Sequence, residues 1–203
     1  MRFSSSDRQI NVNRLEALTD GVFSIAITLL VLTIRIPEPG EIVSQSELIK
    51  YILSLDYELF SYCISFFVVG SLWISGNKRM KFLRKTDDLH LWLSLLNLLF
   101  ITLIPLTTSL LSDYGDFEFV ELLFHGNILM LEIIALIEWE YLIRNTDLVQ
   151  EEVLSKLDIR NIRKKNFFSV FVPILGMVIS IFTSAWSNLV YLLLFFRSLI
   201  IRY

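Results

Sequence analysis

Six long apolar stretches, separated by short charged segments, are the feature that most limits how this chain can fold. A helix needs about 20 residues to cross the roughly 30 Å hydrocarbon core of a bilayer, because each residue adds about 1.5 Å. Hydrophobic residues make up 54% of the 203 residues and charged residues 19%, and the charges are concentrated at the ends and in the connections. The sequence therefore predicts an all-α integral membrane protein with six transmembrane helices. The predicted spans are 15–36, 57–75, 89–111, 119–143, 167–186 and 188–201, and the last is short enough to need tilt or local thinning of the bilayer.

The distribution of lysine and arginine predicts how these spans are oriented. Cations gather on the cytoplasmic side of membrane proteins, whereas acids contribute little to orientation. The N-terminal segment, the second and fourth connections and the C-terminal tail are rich in cations, among them Arg2, Arg8, Arg14, Lys78, Arg79, Lys81, Arg84, Lys85, Arg144, Lys156, Arg160, Arg163, Lys164, Lys165, Arg197 and Arg202. The third connection carries Asp113, Asp116, Glu118 and Glu121 and no cation. Both termini are therefore expected in the cytoplasm, and the first span, which no small-x-small cleavage site follows, is expected to remain in the mature protein.

Composition and motifs limit the other classes of function. The net charge of −3 argues against a nucleic-acid partner. The sequence contains no glycine-rich phosphate loop and no nucleophile elbow, and two histidines are too few for a metal centre without carboxylate help, so we expect no enzyme activity, metal or cofactor. Cys63 is the single cysteine and lies in an apolar run, so it is expected to be a small buried hydrophobe. Residues 146–165 alternate charged and apolar residues, which predicts a cytosolic amphipathic connection that acts as a solvated linker helix.

Ionisable residues in the fourth span are candidates for function, because charges inside a membrane are costly. His125 and Glu132 are seven residues apart and therefore lie on one helix face, which is compatible with a proton relay in a proton-coupled transporter or a proton-permeable channel. The alternative is structural. In that case His125 lies near the outer end, Glu138 and Glu140 lie near the inner interface, and Glu132 is hydrogen-bonded between helices. Polar residues of the third span around Pro105 are likewise expected to form interhelical hydrogen bonds near a proline kink.

The first span combines a stripe of branched aliphatic residues with small and hydroxylated ones. At about 100° per residue, Leu29 and Leu32 lie within about 40° of Ile25 on one stripe, and Thr28 lies about 60° to one side. Small residues such as Ser24 allow other helices to approach closely. Any helix has some apolar stripe, so the geometry alone leaves open whether this face contacts lipid, protein or a pore.

The start of this span resembles a family signature. The residues Arg14-Leu-Glu-Ala-Leu18-Thr19-Asp20 and the apolar run that follows them are similar to the opening of the first helix in the endosomal and lysosomal potassium channel family, the transmembrane protein 175 family, in its single-repeat prokaryotic members. That signature is Arg, three residues, then Phe-Ser-Asp. Here Leu18 replaces the phenylalanine and Thr19 the serine. Weaker similarities to the family lie at Trp73, at Asn97 and in the Pro105-Leu-Thr-Thr108 segment. Gly76 and Asn77 stand where relatives commonly have histidines.

The resemblance implies a function and a set of site residues. It implies a homotetramer in the plasma membrane of a prokaryote, in which the first helices surround a potassium-permeable pore without a re-entrant selectivity loop. The implied site residues are Ile25 at the narrowest ring, Leu29 and Leu32 at hydrophobic rings toward the outside, Thr28 in a hydroxyl layer, and Arg14, Leu18, Thr19 and Asp20 anchoring the cytosolic end of the pore helix. Asp20 is expected to be a buried acid stabilised at the helix N-terminus. The permeant ion is expected to be K+, modestly preferred over Na+.

Overall fold

The computed structural model describes residues 12–38, 40–150, 155–183 and 187–194, and these residues form α-helices and short 3₁₀ segments. The α-helices are α1 (Val12–Leu29), α2 (Gln45–Ser54), α3 (Asp56–Met80), α4 (Asp88–Thr102), α5 (Ile104–Tyr114), α6 (Glu118–Arg144) and α7 (Lys156–Ser180). The 3₁₀ segments are Leu30–Thr33, Thr146–Leu148 and Asn188–Tyr191. The predicted all-α class is therefore confirmed.

Four helical stretches within the described residues are long and apolar enough to cross a membrane. They are Val12–Thr33, Asp56–Met80, Asp88–Tyr114 and Glu118–Arg144, and they correspond to the first four predicted spans. The protein is thus a multi-pass membrane protein. Of the sixth predicted span, 188–201, only residues 188–194 are described, and they begin as a 3₁₀ segment.

The fifth predicted span is part of a longer helix. α7 begins at Lys156, inside the segment predicted as a separate connection (146–165), and continues through Pro173 to Ser180. Its start is set by a capping box, in which the Ser155 side chain accepts a hydrogen bond from the backbone N–H of Asp158 (3.1 Å) and the Asp158 carboxylate accepts one from the backbone N–H of Ser155 (3.1 Å). The charged connection and the apolar span therefore differ from the prediction by sharing one continuous helix.

The third predicted span is divided into α4 and α5 at Leu103. Pro105 occupies the first turn of α5, where its missing N–H costs little, but its ring is incompatible with an uninterrupted helix. Thr107 donates its hydroxyl hydrogen to the backbone carbonyls of Leu103 (3.2 Å) and Ile104 (3.1 Å) in the first turn of α5. The predicted proline kink is thus a break between two helices at Leu103.

The helix α6 lies at the centre of the bundle. Its side chains are buried around most of its circumference, including Phe124, Ile128, Leu131 and Trp139, which have no exposed surface. It packs against α4, α5 and α7. A helix that is hydrophobic on all sides belongs in a protein core or in lipid, and α6 is surrounded by other helices of the bundle.

Two features of the fold differ from the sequence-based expectations. Cys63 is exposed on the outer surface of α3, so the prediction that it is buried is wrong. α3 turns Ile64, Val68 and Leu72 toward the bundle, and an apolar run does not show which of its residues face protein and which face lipid. The first connection contains the helix α2, begun by Ser44, which accepts a hydrogen bond from the backbone N–H of Glu47 (3.3 Å).

Candidate pore-lining helix and buried polar clusters

One face of α1 and the 3₁₀ turn that follows it is open in the protomer. Ile25, Leu29 and Leu32 are 60%, 43% and 74% exposed, and Thr28 is also exposed. The opposite face carries Phe23, Ala26 and Leu30, which are at most 5% exposed and pack into the main core. The four predicted pore-lining residues therefore share one accessible stripe, which the other described helices do not cover.

The local backbone shapes this stripe further. The helix tightens into a 3₁₀ turn from Leu30 to Thr33, where residues three apart come nearly into line, so Leu32 lies close to the direction of Leu29. The Thr28 hydroxyl donates to the backbone carbonyl of Ile25 (2.9 Å). Its hydrogen is thus used within the helix, and its oxygen lone pairs remain available on the open face, where a cation could use them.

The motif at the start of α1 is tied to α3 through its aspartate. The indole N–H of Trp73 donates to the Asp20 carboxylate over 2.8 Å. Asp20 lies about two turns inside α1, which extends back at least to Val12, so the expectation that it sits at a helix N-terminus is wrong. The apolar pattern predicts where the membrane span begins, but the helix itself starts earlier, in the polar residues that precede the span. What holds Asp20 is a side-chain donor on a neighbouring helix.

The other motif residues lie on different sides of the same helix. Arg14 and Leu18 are exposed, and Thr19 is half-buried. Thr19 lines a small cavity of about 50 Å³ together with Gly76, one of the two residues that replace the family histidines. Gly76 therefore lines the same cavity as Thr19 of α1.

The same small cavity contains two buried carboxylates of α6. Glu132 and Glu138 are 3% and 9% exposed, and the hydroxyl of Ser94 donates to Glu138 over 2.9 Å. Asn97 donates to the backbone carbonyl of Leu131 (3.3 Å), as expected for an interhelical hydrogen bond. Glu132 and Glu138 therefore share this cavity with Ser94 and Asn97 of α4.

His125 belongs to a separate buried cluster near the start of α6. Its Nδ1 lies 2.7 Å from the Tyr191 hydroxyl and its Nε2 lies 3.2 Å from the Ser187 hydroxyl. Glu121 is its nearest acid, with Nε2 3.6 Å from the carboxylate, which also accepts hydrogen bonds from Ser187 (2.8 Å) and Asn188 (3.1 Å). The structure therefore brings Glu121 within 3.6 Å of His125, and Glu132 acts electrostatically on Tyr191 of the same cluster.

Sequence reasoning missed the role of Glu121. The sequence places Glu121 in the acidic third connection, but the residue is fully buried inside α6. The available signal was its spacing of four residues from His125, which places both on one helix face. Its partners Ser187, Asn188 and Tyr191 come from a distant part of the chain and carry no local signal. Within the described residues, no group of three or more His, Cys, Asp or Glu side chains is arranged to hold a metal ion.

Comparison with known proteins places these features in a family context. Residues 14–105, which contain the α1 motif and Trp73, match the family described as the endosomal/lysosomal potassium channel TMEM175. A potassium channel of Chamaesiphon minutus is 35% identical over 106 residues, which are 52% of this chain and 52% of the relative. The endosomal/lysosomal proton channel TMEM175 of Gallus gallus is 30% identical over 112 residues, which are 53% of this chain and 22% of the relative. The chain spans about half the length of the bacterial relative and less of the animal one.

The similarity in structure is more extensive than the similarity in sequence. The crystal structure of a lysosomal potassium-selective channel TMEM175 homologue from Chamaesiphon minutus superposes with a TM-score of 0.81 at 26% identity, and the match covers 95% of this chain and 98% of the other. The matched helices include α1, with its open stripe, and α3, which holds Asp20 through Trp73. On the evidence of its first-helix motif, its sequence relatives and its fold, this chain is a member of the TMEM175 family, related to the bacterial TMEM175-type potassium channels.

Proposed function

We propose that the protein is a potassium-permeable channel formed by four copies of a six-span subunit, with the first helices surrounding the pore. The observation that carries this proposal is the open stripe of Ile25, Thr28, Leu29 and Leu32 on the helix that also bears the family motif. The stripe continues toward the cytosolic end through the exposed Gly21, and such small residues allow helices to approach closely. In this arrangement no re-entrant loop and no bound cofactor is needed.

The proposed gate is a series of hydrophobic rings. Four copies of Ile25 converge on the axis at the narrowest point, and Leu29 and Leu32 form further rings toward the outside. Filling a narrow apolar neck with water costs free energy, so such rings close a pore by dewetting. Ions pass when the rings move apart or when the neck becomes wet.

Selectivity in this proposal comes from partial dehydration beside the constriction. The four Thr28 oxygens, whose hydroxyl hydrogens are directed to the Ile25 carbonyls, offer acceptor atoms to a cation that has shed some water. Potassium gives up its water more easily than sodium, and a single weak oxygen layer discriminates only modestly. We therefore expect a modest preference for K+ over Na+.

The motif residues hold the pore helix in place. Asp20, bonded to Trp73, fixes the cytosolic half of α1 to α3, while Arg14, Leu18 and Thr19 surround the same end. With the cation-rich connections on the inside, both termini face the cytoplasm of a prokaryotic cell and the pore crosses its plasma membrane.

Recording from the purified protein in a planar bilayer tests this function. With KCl on one side and NaCl on the other, we expect unitary currents and a reversal potential displaced modestly toward K+ permeation. Substrate-dependent flux without unitary currents would contradict the channel and favour a carrier. A mass of a single subunit for the detergent-solubilised protein would contradict the tetramer.

A proton-conducting alternative is favoured by the buried cluster around His125 and Glu121 and by the name of the animal relative, a proton channel. The sequence spacing predicts His125 and Glu132 as the groups that carry the proton. A pH gradient across protein-containing vesicles in symmetrical KCl distinguishes the two. Proton permeation shifts the reversal potential with the pH gradient, whereas a pure potassium channel leaves it at zero.

A further inference from the structure

A large lateral cavity lies between α3 and α7, separate from the open stripe of α1. It has a volume of about 710 Å³, within the range of cavities that hold small organic ligands. Phe66, Phe67 and Ile74 of α3 form its apolar wall, and all three are partly exposed. At the end of α3 that carries the cation-rich connection, the wall becomes polar.

The polar end of this cavity is positively charged. Lys78, Arg79, Lys81 and Lys165 line it, against one carboxylate among the described lining residues, that of Asp158. The Asp158 carboxylate accepts hydrogen bonds from the backbone N–H (3.1 Å) and hydroxyl (2.6 Å) of Ser155, so it already serves to cap α7. The described lining residues therefore carry a net positive charge, which favours an anion.

Two buried amides in the cavity wall are without partners. Asn161 and Asn166 of α7 are 6% and 3% exposed, and their Nδ2 atoms make no hydrogen bond. Buried side-chain donors in folded proteins almost always have an acceptor. Two orphaned donors in one cavity, next to lysines, indicate that an acceptor group from another molecule is expected there.

We propose that this cavity binds one anionic phospholipid of the cytoplasmic leaflet, such as a phosphatidylglycerol. The phosphate lies between Lys78, Lys81 and Lys165 and accepts hydrogen bonds from Asn161 and Asn166, and an acyl chain follows the apolar wall of α3. A free phosphate would satisfy the polar end but leave the phenylalanine-lined wall without a partner. Basic pockets between transmembrane helices on the cytoplasmic side are suited to such headgroups.

One residue of the cavity wall, Trp73, also donates its indole N–H to Asp20 of α1. The residues proposed to bind the lipid nevertheless lie in α3, in α7 and at Lys81 just after α3, and binding does not require that α1 lines a pore. A negative result in the lipid experiment would therefore not contradict the channel proposal, and a negative electrical recording would not contradict lipid binding.

Native mass spectrometry of the detergent-solubilised protein with equal amounts of phosphatidylglycerol and phosphatidylcholine tests the proposal. We expect selective retention of phosphatidylglycerol, and a loss of roughly 25-fold in its apparent affinity for the Lys78→Gln/Lys81→Gln variant, since each of the two removed cations contributes about fivefold near an anionic headgroup. The matched control is Arg160→Gln/Lys164→Gln, which removes two cations of α7 that do not line the cavity and should leave retention unchanged.

The asparagines provide a second measurement. Asn161→Leu and Asn166→Leu remove donors that have no partner in the lipid-free protein, so lipid-free thermal stability should be kept or raised, whereas the stabilisation by phosphatidylglycerol should be lost. Equal retention of both lipids, an equal loss in the control variant, or the same thermal shift with inorganic phosphate alone would overturn the proposal. Coverage of the cavity by another part of the protein would appear as absence of lipid retention and would overturn it as well.

Discussion

The hydrogen bond from Trp73 to Asp20 joins the two helices on which the proposed pore depends, and a substitution at either residue removes it. Trp73→Phe keeps an aromatic ring but deletes the indole donor. We expect a loss of about 1 kcal/mol of stability, the usual net value of one hydrogen bond, together with a lower yield of the assembled oligomer. Thermal melting followed by size-exclusion chromatography measures both quantities.

The matched control for this change is Trp92→Phe, since Trp92 is 71% exposed on α4. It should melt at the temperature of the parent protein. Asp20→Ala should reproduce the assembly defect of Trp73→Phe. If Asp20→Ala assembles normally and changes only the ion preference, Asp20 acts on ions and the structural role assigned to it is wrong.

Gly176 permits the close contact between α6 and α7. A Cβ atom at this position would lie 2.5 Å from Cε1 of the His125 imidazole, which is itself held by Tyr191 and Ser187. Gly176→Ala should therefore destabilise the protein by about 1–3 kcal/mol, as overpacking in a core does.

Gly70→Ala is the control for this substitution, because no atom lies within 4 Å of a Cβ built there. In the middle of α3 it should be neutral or stabilising by up to about 1 kcal/mol, since alanine favours helix more than glycine. Equal melting temperatures for the two variants would show that the His125 contact does not constrain α7.

At the scale of one element, α1 has an open stripe and a buried side, which cysteine substitution can distinguish. Cys63 is exposed and must first be replaced by serine. In that background, Ile25→Cys and Thr28→Cys should react with a charged, water-soluble thiol reagent in membranes, because the pore face is wetted at least intermittently. Leu30→Cys should not react, because Leu30 is fully buried.

The same variants distinguish a pore from a lipid-facing surface. Reaction of Ile25→Cys with a membrane-soluble maleimide, but not with the charged reagent, would place the stripe against lipid. Reaction at Leu30→Cys but not at Thr28→Cys would show that the pore face has been assigned to the wrong side of α1.

At the scale of the whole molecule, one substitution in a tetramer changes a ring of four side chains. Ile25→Asn should lower the cost of filling the constriction with water, which raises conductance and leak and relaxes the preference for K+. Val31→Asn is the control, since Val31 is 51% exposed but lies in the 3₁₀ turn about 120° around the helix from both Leu29 and Leu32. Single-channel recordings in mixed KCl and NaCl solutions measure both effects. A similar rise in conductance for Val31→Asn would contradict the ring at Ile25.

Glu132 tests whether the channel or the proton-coupled alternative describes the molecule. Glu132→Gln removes the charge but keeps the size and hydrogen-bonding capacity of a side chain that is 3% exposed. Potassium flux into vesicles should be unchanged if Glu132 only joins helices. Loss of flux in a variant that elutes as the parent protein does would favour the proton-coupled carrier.

The sequence by itself determined the membrane class, the first four spans and which residues of α1 share a stripe. These properties are local, because hydropathy accumulates over about 20 consecutive residues and the helical repeat assigns Ile25, Thr28 and Leu29 to one stripe and Leu30 to the opposite side. The motif singled out Asp20, and a weaker similarity to the family singled out Trp73, although neither indicated that the two side chains are hydrogen-bonded to each other.

Only the tertiary structure decided the remaining features: the exposure of Cys63, the burial of Glu121 beside His125, and the cavity in which Asn161 and Asn166 have no partner. In a soluble protein, apolar residues are mostly inside, so hydropathy predicts burial. In a membrane the solvent is itself apolar, and a residue facing lipid has the same composition as one facing the bundle. Which polar side chains meet is then set by how the helices pack, and that depends on contacts between residues far apart in the chain.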